Sequence, residues 1–227
     1  IIKYNNIIST YYIYNFSQED IKYAKSLIAS NKALSWDLIP DSIFNKELNI
    51  EEENNKNQIL SLLVNSILNT QIIPKLTRLI KLFPISKVEN IPKPSETRPI
   101  AICSPIIKLL EALILPDIKK LCKENLTNSQ LGFVEGCSTK MQMIKLTALI
   151  KQAQNTTTKT TNYYLLFIDF KSAFDTISHE ILFNKLEQLN LNTNIINIIK
   201  ILYKNLEFSI DCKNTISSKR GVLQGSL

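Results

Sequence analysis

Glycine is scarce in this chain, with four among 227 residues. They fall in two short stretches, Gly132 and Gly136 in QLGFVEGCST and Gly221 and Gly225 in KRGVLQGSL. Clustering of so rare a residue points to backbone with positive φ, or to close approach of a ligand. Arginine is equally sparse, at Arg78, Arg98 and Arg220. The single histidine, His179, has no Ser or Cys paired with it in the sequence and reads as structural. The four cysteines lie far apart without a CxxC pair, which excludes a zinc ribbon or a disulfide scaffold and suggests a reduced, intracellular protein. Asn, Lys and Glu interrupt every apolar run, so no segment reads as a membrane-spanning helix. The chain opens on Ile rather than Met and shows no signal-peptide pattern, which reads as a fragment.

What is abundant is Ile, Asn and Lys. Hydrophobic residues make up 44%, enough for a real core in one large or two small domains. Twenty-seven Lys+Arg against 20 Asp+Glu give +7, compatible with a polyanionic partner. All eight prolines lie between Pro40 and Pro116, so the first half is the irregular half. Ser17-x-x-Asp20 resembles a capping box before a helix with Ile21, Ala24, Leu27 and Ile28 on one face. A loop at Asn31–Pro40 carries the only Trp, Trp36, read as packing. Glu51–Glu53 open a helix to about Asn69, Leu79–Ile85 suggests a strand, and Lys87–Arg98 a Pro-punctuated hairpin or loop. Ser104-Pro105 starts a helix over Ile106–Leu115 that Pro116 kinks or ends. Ser138 caps a helix to about Gln154, Ser178 caps another, and a third covers Asn194–Asn205. Leu206–Cys212 and Thr215–Lys219 read as strands joined by a Lys213-Asn214 turn. The order predicts α/β or α+β packing.

The stretch Tyr163–Asp175, YYLLFIDFKSAFD, is the one around which these elements are expected to gather. Its apolar run suits a strand buried on both faces and ending in Asp169. A carboxylate there is costly to desolvate without a cationic partner, for which a metal is one candidate. The other reading is an Asp that caps the next turn or helix.

Asp169 through Asp175, followed by His179, Leu182 and Leu186, resembles the first palm motif of reverse transcriptases. The non-LTR retrotransposon type is the nearest in flavour, with group II intron enzymes as cousins. Arg98-Pro99-Ile100, with Lys108-Leu109-Leu110-Glu111 after it, resembles the fingers block. Gln130-Leu131-Gly132-Phe133 through Ser138-Thr139 resembles the next block. Gly221-Val222-Leu223-Gln224-Gly225-Ser226 resembles the start of the palm's template- and primer-grip region. The likeness runs from about residue 30 to the end, in order.

The resemblance implies a right-hand polymerase, with an extension over 1–30, fingers over 31–160 and an incomplete palm over 161–227. It implies two-metal nucleotidyl transfer with Mg²⁺, Mn²⁺ being an alternative. Asp169 and the Phe170 carbonyl would face metal, and Asp175 would fix the following turn or helix. Arg98, Lys87, Phe174, Gln224 and Gly225 would line the nucleotide site, and Gln130 and Gly132 would touch template. Phe174 could instead be core, and Lys87 a solvated surface lysine. Val134 and Glu135 stand where relatives usually carry a basic residue. The family's aromatic-x-Asp-Asp pair is absent from these 227 residues, so this chain by itself is expected to be inactive. The implied partners are an RNA template, a DNA or RNA primer and deoxynucleotides, with no membrane. A second chain supplying the rest of palm and thumb, or a ribonucleoprotein, is a further possible partner. A non-catalytic RNA-binding scaffold and an intron maturase are the alternative functions. The compartment would be nucleus or cytoplasm for a retrotransposon protein, and mitochondrion for an organelle-encoded one.

Overall fold

The computed structural model describes residues 14–29, 33–45, 49–87, 89, 93–156 and 164–224. The chain forms two compact units, one of Ile1–Lys120 with Ala173–Leu227, the other of Leu121–Ser172.

The first unit begins with α1 (Gln18–Leu27), held at its start by the expected capping box. The Asp20 backbone N–H donates to Ser17 Oγ, and the Ser17 N–H donates to the Asp20 carboxylate at 2.7 Å. Ile21 and Ala24 are fully buried, and α1 packs on α2 (Ile50–Thr70). Asn49 caps α2 by accepting from the Glu52 N–H at 2.9 Å, with Glu51, Glu52 and Glu53 in its first turn. Leu60, Val64, Ile67 and Leu68 form its buried stripe. The short helix α3 (Lys75–Arg78) leads into β1 (Leu79–Ser86), which pairs antiparallel with β2 (Thr97–Ile102). Then α4 (Pro105–Asn125) buries Ile106, Ile107, Leu109, Leu110 and Ala112.

Later in the same unit come α6 (His179–Gln188) and α7 (Thr193–Asn205). Ile196, Ile198, Ile199, Ile201 and Leu202 of α7 are buried. A short β3 (Glu207–Ser209) adds to β1 in parallel, giving a three-stranded mixed sheet in the order β2-β1-β3. The second unit holds α5 (Thr139–Thr156), and there the Met141 N–H reaches Ser138 Oγ at 3.4 Å. The helix-rich α/β architecture with a small sheet is the one expected.

Four local expectations are corrected. The apolar run after Tyr163 is no buried strand, and Tyr163 itself lies outside the described residues. Residues 164–170 have no regular structure, with Leu166 84% and Phe167 81% exposed. A strand needs a neighbour to satisfy its N–H and C=O groups, and among the described residues none lies alongside. Pro116 does not end α4, which runs nine residues further. The hydrogen bond lost at a proline is outweighed by burial of Ala112, Leu113 and Ile114 in the preceding turn. Ser178 stands at the N-cap of α6, yet its side chain makes no capping bond. The expected strand pair after Leu206 shrinks to β3 and one bridge, Phe208 to Ile216, at 2.8 and 2.9 Å. Asp211 closes that turn by accepting from the Lys213 and Asn214 N–H groups, which holds its carboxyl down at about 2.

An ion pair ties α4 to the loop before α2. Lys108 Nζ donates to both oxygens of Asp41 at 2.9 and 3.1 Å, with the two side chains 7% and 3% exposed. Removing one partner strands a buried charge. Asp41→Ala is therefore expected to lower unfolding stability by about 3–5 kcal/mol. Urea denaturation checks this, and a loss below about 1 kcal/mol would contradict it.

Candidate functional site

The β1–β2 hairpin presents two different faces. Its register sets Phe83 opposite Ile100 and Ile85 opposite Arg98, and the Lys87 N–H donates to the Glu96 carbonyl at 2.8 Å. Side chains alternate across a pleat, so Phe83, Ile85, Lys87, Arg98 and Ile100 share one face. Phe83 and Ile85 are 55% and 47% exposed, and Lys87 and Arg98 are exposed as well. On the other face Ala101 is buried. The outer face thus offers an apolar floor bordered by two cations, one of them a guanidinium suited to gripping phosphate oxygens in pairs.

Residues 218–224 fold back onto both β2 and the turn after Ala173. The Ala101 N–H, on the outer edge of β2, donates to the Gln224 carbonyl at 2.8 Å. The Val222 N–H donates to the Phe174 carbonyl at 3.0 Å, and the Gly221 N–H to that of Ile177 at 2.8 Å. Gln224 Nε2 reaches Asp175 Oδ1 at 3.3 Å. Gly221 is needed here. Its φ of +90° lies in the region that favours glycine, and a Cβ would stand 3.5 Å from the backbone of Asp175. Phe174, Asp175 and Gln224 are thereby gathered beside β2. Phe174 is 40% exposed, unlike a core ring.

His179 is fixed from behind. Its Nε2 lies 2.7 Å from the Gly221 carbonyl and its ring centroid 4.6 Å from that of Tyr203. Burial, with Glu111 adding to it, pushes the Tyr203 hydroxyl up to about 12, and burial pushes the Cys103 thiol up too. Both shifts disfavour the ionised forms of Tyr203 and Cys103, and the His179 ring packs against Tyr203.

Four others expected at the site, Asp169, Phe170, Gln130 and Gly132, belong to the second unit. Asp169 and Phe170 lie in the exposed segment 164–170. Gln130 folds onto its own turn, its Nε2 donating to the Gly132 carbonyl at 2.9 Å. Phe133 stands 97% exposed at φ +61°. Gly225 falls outside the described residues. The Asp169 carboxylate and the Phe170 carbonyl are hard oxygen donors of the kind a small divalent cation takes, through one or two carboxylates plus phosphates. Among the described residues no group of three His, Cys, Asp or Glu side chains could hold a metal. The donor types fit such a cation, while their number, one carboxylate and one carbonyl, does not by itself make a metal site.

Sequence reasoning missed the Ala101–Gln224 bond and the Asp41–Lys108 pair, since neither residue type nor spacing marks contacts so far apart in the chain. No described helix is long and apolar enough to cross a membrane.

Comparison with known proteins identifies the family. Residues 91–227 match the family "Reverse transcriptase (RNA-dependent DNA polymerase)". Over 178 residues, 74% of this chain, the sequence is 32% identical to a Drosophila melanogaster protein described as "Probable RNA-directed DNA polymerase from transposon BS". The match spans 19% of that relative's length. Family members work with divalent metal ions on a nucleic-acid template and primer. With more than half its residues matched, and the matched stretch holding the residues gathered beside β2, the chain belongs to the reverse transcriptase family.

Proposed function

We propose that this chain is the nucleotide- and template-holding part of a retrotransposon-type RNA-directed DNA polymerase. The observation that supports it most is the fold-back of 218–224, which sets Gln224 against both β2 and Asp175. In this reading the hairpin is the fingers, and the turn at Phe174 with 218–224 is the floor of the palm. Arg98 and Lys87 grip the triphosphate of the incoming nucleotide, the aromatic face of Phe174 lies beneath its sugar, and Gln224 and Gly225 line the pocket below. Gln130 and Gly132 lie along the template. Asp169 and the Phe170 carbonyl would hold Mg²⁺, which when bound supplies charge neutralisation at the phosphates. The protein's own part is to position primer end and nucleotide and to screen the phosphate charge with Arg98.

A photoreactive deoxynucleotide, cross-linked in the presence of an RNA template and primer, tests this. Labelled peptides are expected to carry Arg98 and the 221–224 stretch. Labelling confined to other peptides would overturn the reading.

A further inference from the structure

A second cationic site lies behind the fold-back, in a cavity of about 670 Å³ between α6, α7 and residues 217–220. Four cations line it, Lys200 and Lys204 from α7 and Lys219 and Arg220 from the strap opposite, against one lining carboxylate, Glu180. Phe183 and Tyr203 form an aromatic wall, their ring centroids 6.4 Å apart. None of Lys87, Arg98, Phe174 or Gln224 belongs to this lining.

The strap holds its two cations in place through its backbone. The Ser218 hydroxyl donates to the Arg220 carbonyl at 2.7 Å and accepts from the Arg220 N–H at 3.1 Å. The His179 N–H donates to the Lys219 carbonyl at 3.2 Å, and Ser178 bridges Arg220. Lys219 and Arg220 thus border the cavity on a braced segment, not on a free loop.

The charges are unbalanced. Lys200 pairs with Glu187 at 2.8 Å and lies over the Phe183 ring at 5.6 Å. For Lys204, Lys219 and Arg220, no carboxylate among the described residues lies within ion-pair distance. Lys200 and Lys204 are four apart on one helix, a spacing at which like charges repel. Three unpaired cations around an aromatic-walled cavity suit an extended polyanion with flat bases. Such grooves track a nucleic-acid backbone by charge while rings offer stacking surfaces. The proposal rests on the polymerase reading only for the presence of nucleic acid near the protein.

We infer that this groove binds the phosphodiester backbone of a single-stranded RNA segment, at a place separate from the nucleotide site. The test is a salt titration of a fluorescein-labelled oligonucleotide by anisotropy, comparing wild type with a Lys204→Gln/Lys219→Gln/Arg220→Gln variant. These side chains are exposed, and matching circular dichroism spectra confirm the fold. Loss of three phosphate contacts, at about 0.7 each, should reduce the slope of log K against log salt by about 2. An unchanged slope overturns the inference. So does a slope lowered equally by Lys140→Gln/Lys145→Gln/Lys151→Gln on α5, because loss of bulk charge would then account for it. If wild type binds no RNA at all, the groove and the polymerase reading fail together. Binding that persists with an unchanged slope sinks the groove alone.

Discussion

Asp169→Ala in the intact protein is expected to abolish nucleotide incorporation, a loss of at least about a thousandfold, while template–primer affinity stays within about twofold. The first figure follows the cost of removing a preorganised charge-stabilising group, which reaches about 10³. The second follows from where affinity comes from. Nucleic-acid binding is set chiefly by cations on phosphates, and Asp169 is an exposed carboxylate that gives up none of them. A carboxylate needed only to cap a turn would be expected to accept local N–H bonds, as Asp211 does from Lys213 and Asn214. No such bond to the Asp169 side chain is present among the described residues. Incorporation by the alanine variant at wild-type rate would remove Asp169 from the reaction.

The second large effect concerns sugar choice. Phe174→Val is expected to raise ribonucleotide incorporation relative to deoxynucleotide by roughly tenfold to a hundredfold, the range one hydroxyl is worth in an apolar pocket. The ring is partly exposed, and its own carbonyl is pinned by Val222. Truncating it should open space at the sugar without moving the backbone. A core role predicts the reverse pattern, with lost stability and an unchanged ratio. Matched deoxy- and ribonucleotide kinetics beside thermal melts separate the two outcomes.

What was legible in the sequence was what local chemistry decides. The Ser17–Asp20 box, the acidic first turn of α2 and the apolar face of α7 each carry their own signal within a few residues. The scarcity of glycine pointed correctly at Gly221, where φ is +90°. The hairpin around Lys87 and Arg98 was visible through its punctuation, although only the register shows that both cations share a face. Contacts between distant segments left no mark. Asp41 and Lys108 are 67 residues apart, and nothing in the loop holding Asp41 announces a buried partner. The run after Tyr163 was misread because an apolar sequence states a need for burial and not the means. Without a neighbouring strand among the described residues, 164–170 stays exposed, and its composition alone could not tell these cases apart.

The site beside β2 is proposed to serve RNA-templated DNA synthesis. Primer extension by the intact protein tests it most directly, on an RNA template with deoxynucleotides and Mg²⁺, in parallel with Arg98→Ala. A templated DNA product is expected, with Arg98→Ala raising KM for the nucleotide tenfold or more, in line with the roughly 1.5–3 kcal/mol of a hydrogen bond to a charged group. Synthesis with an unchanged nucleotide KM in the Arg98→Ala variant, or no RNA-templated product from the intact wild type, would contradict it.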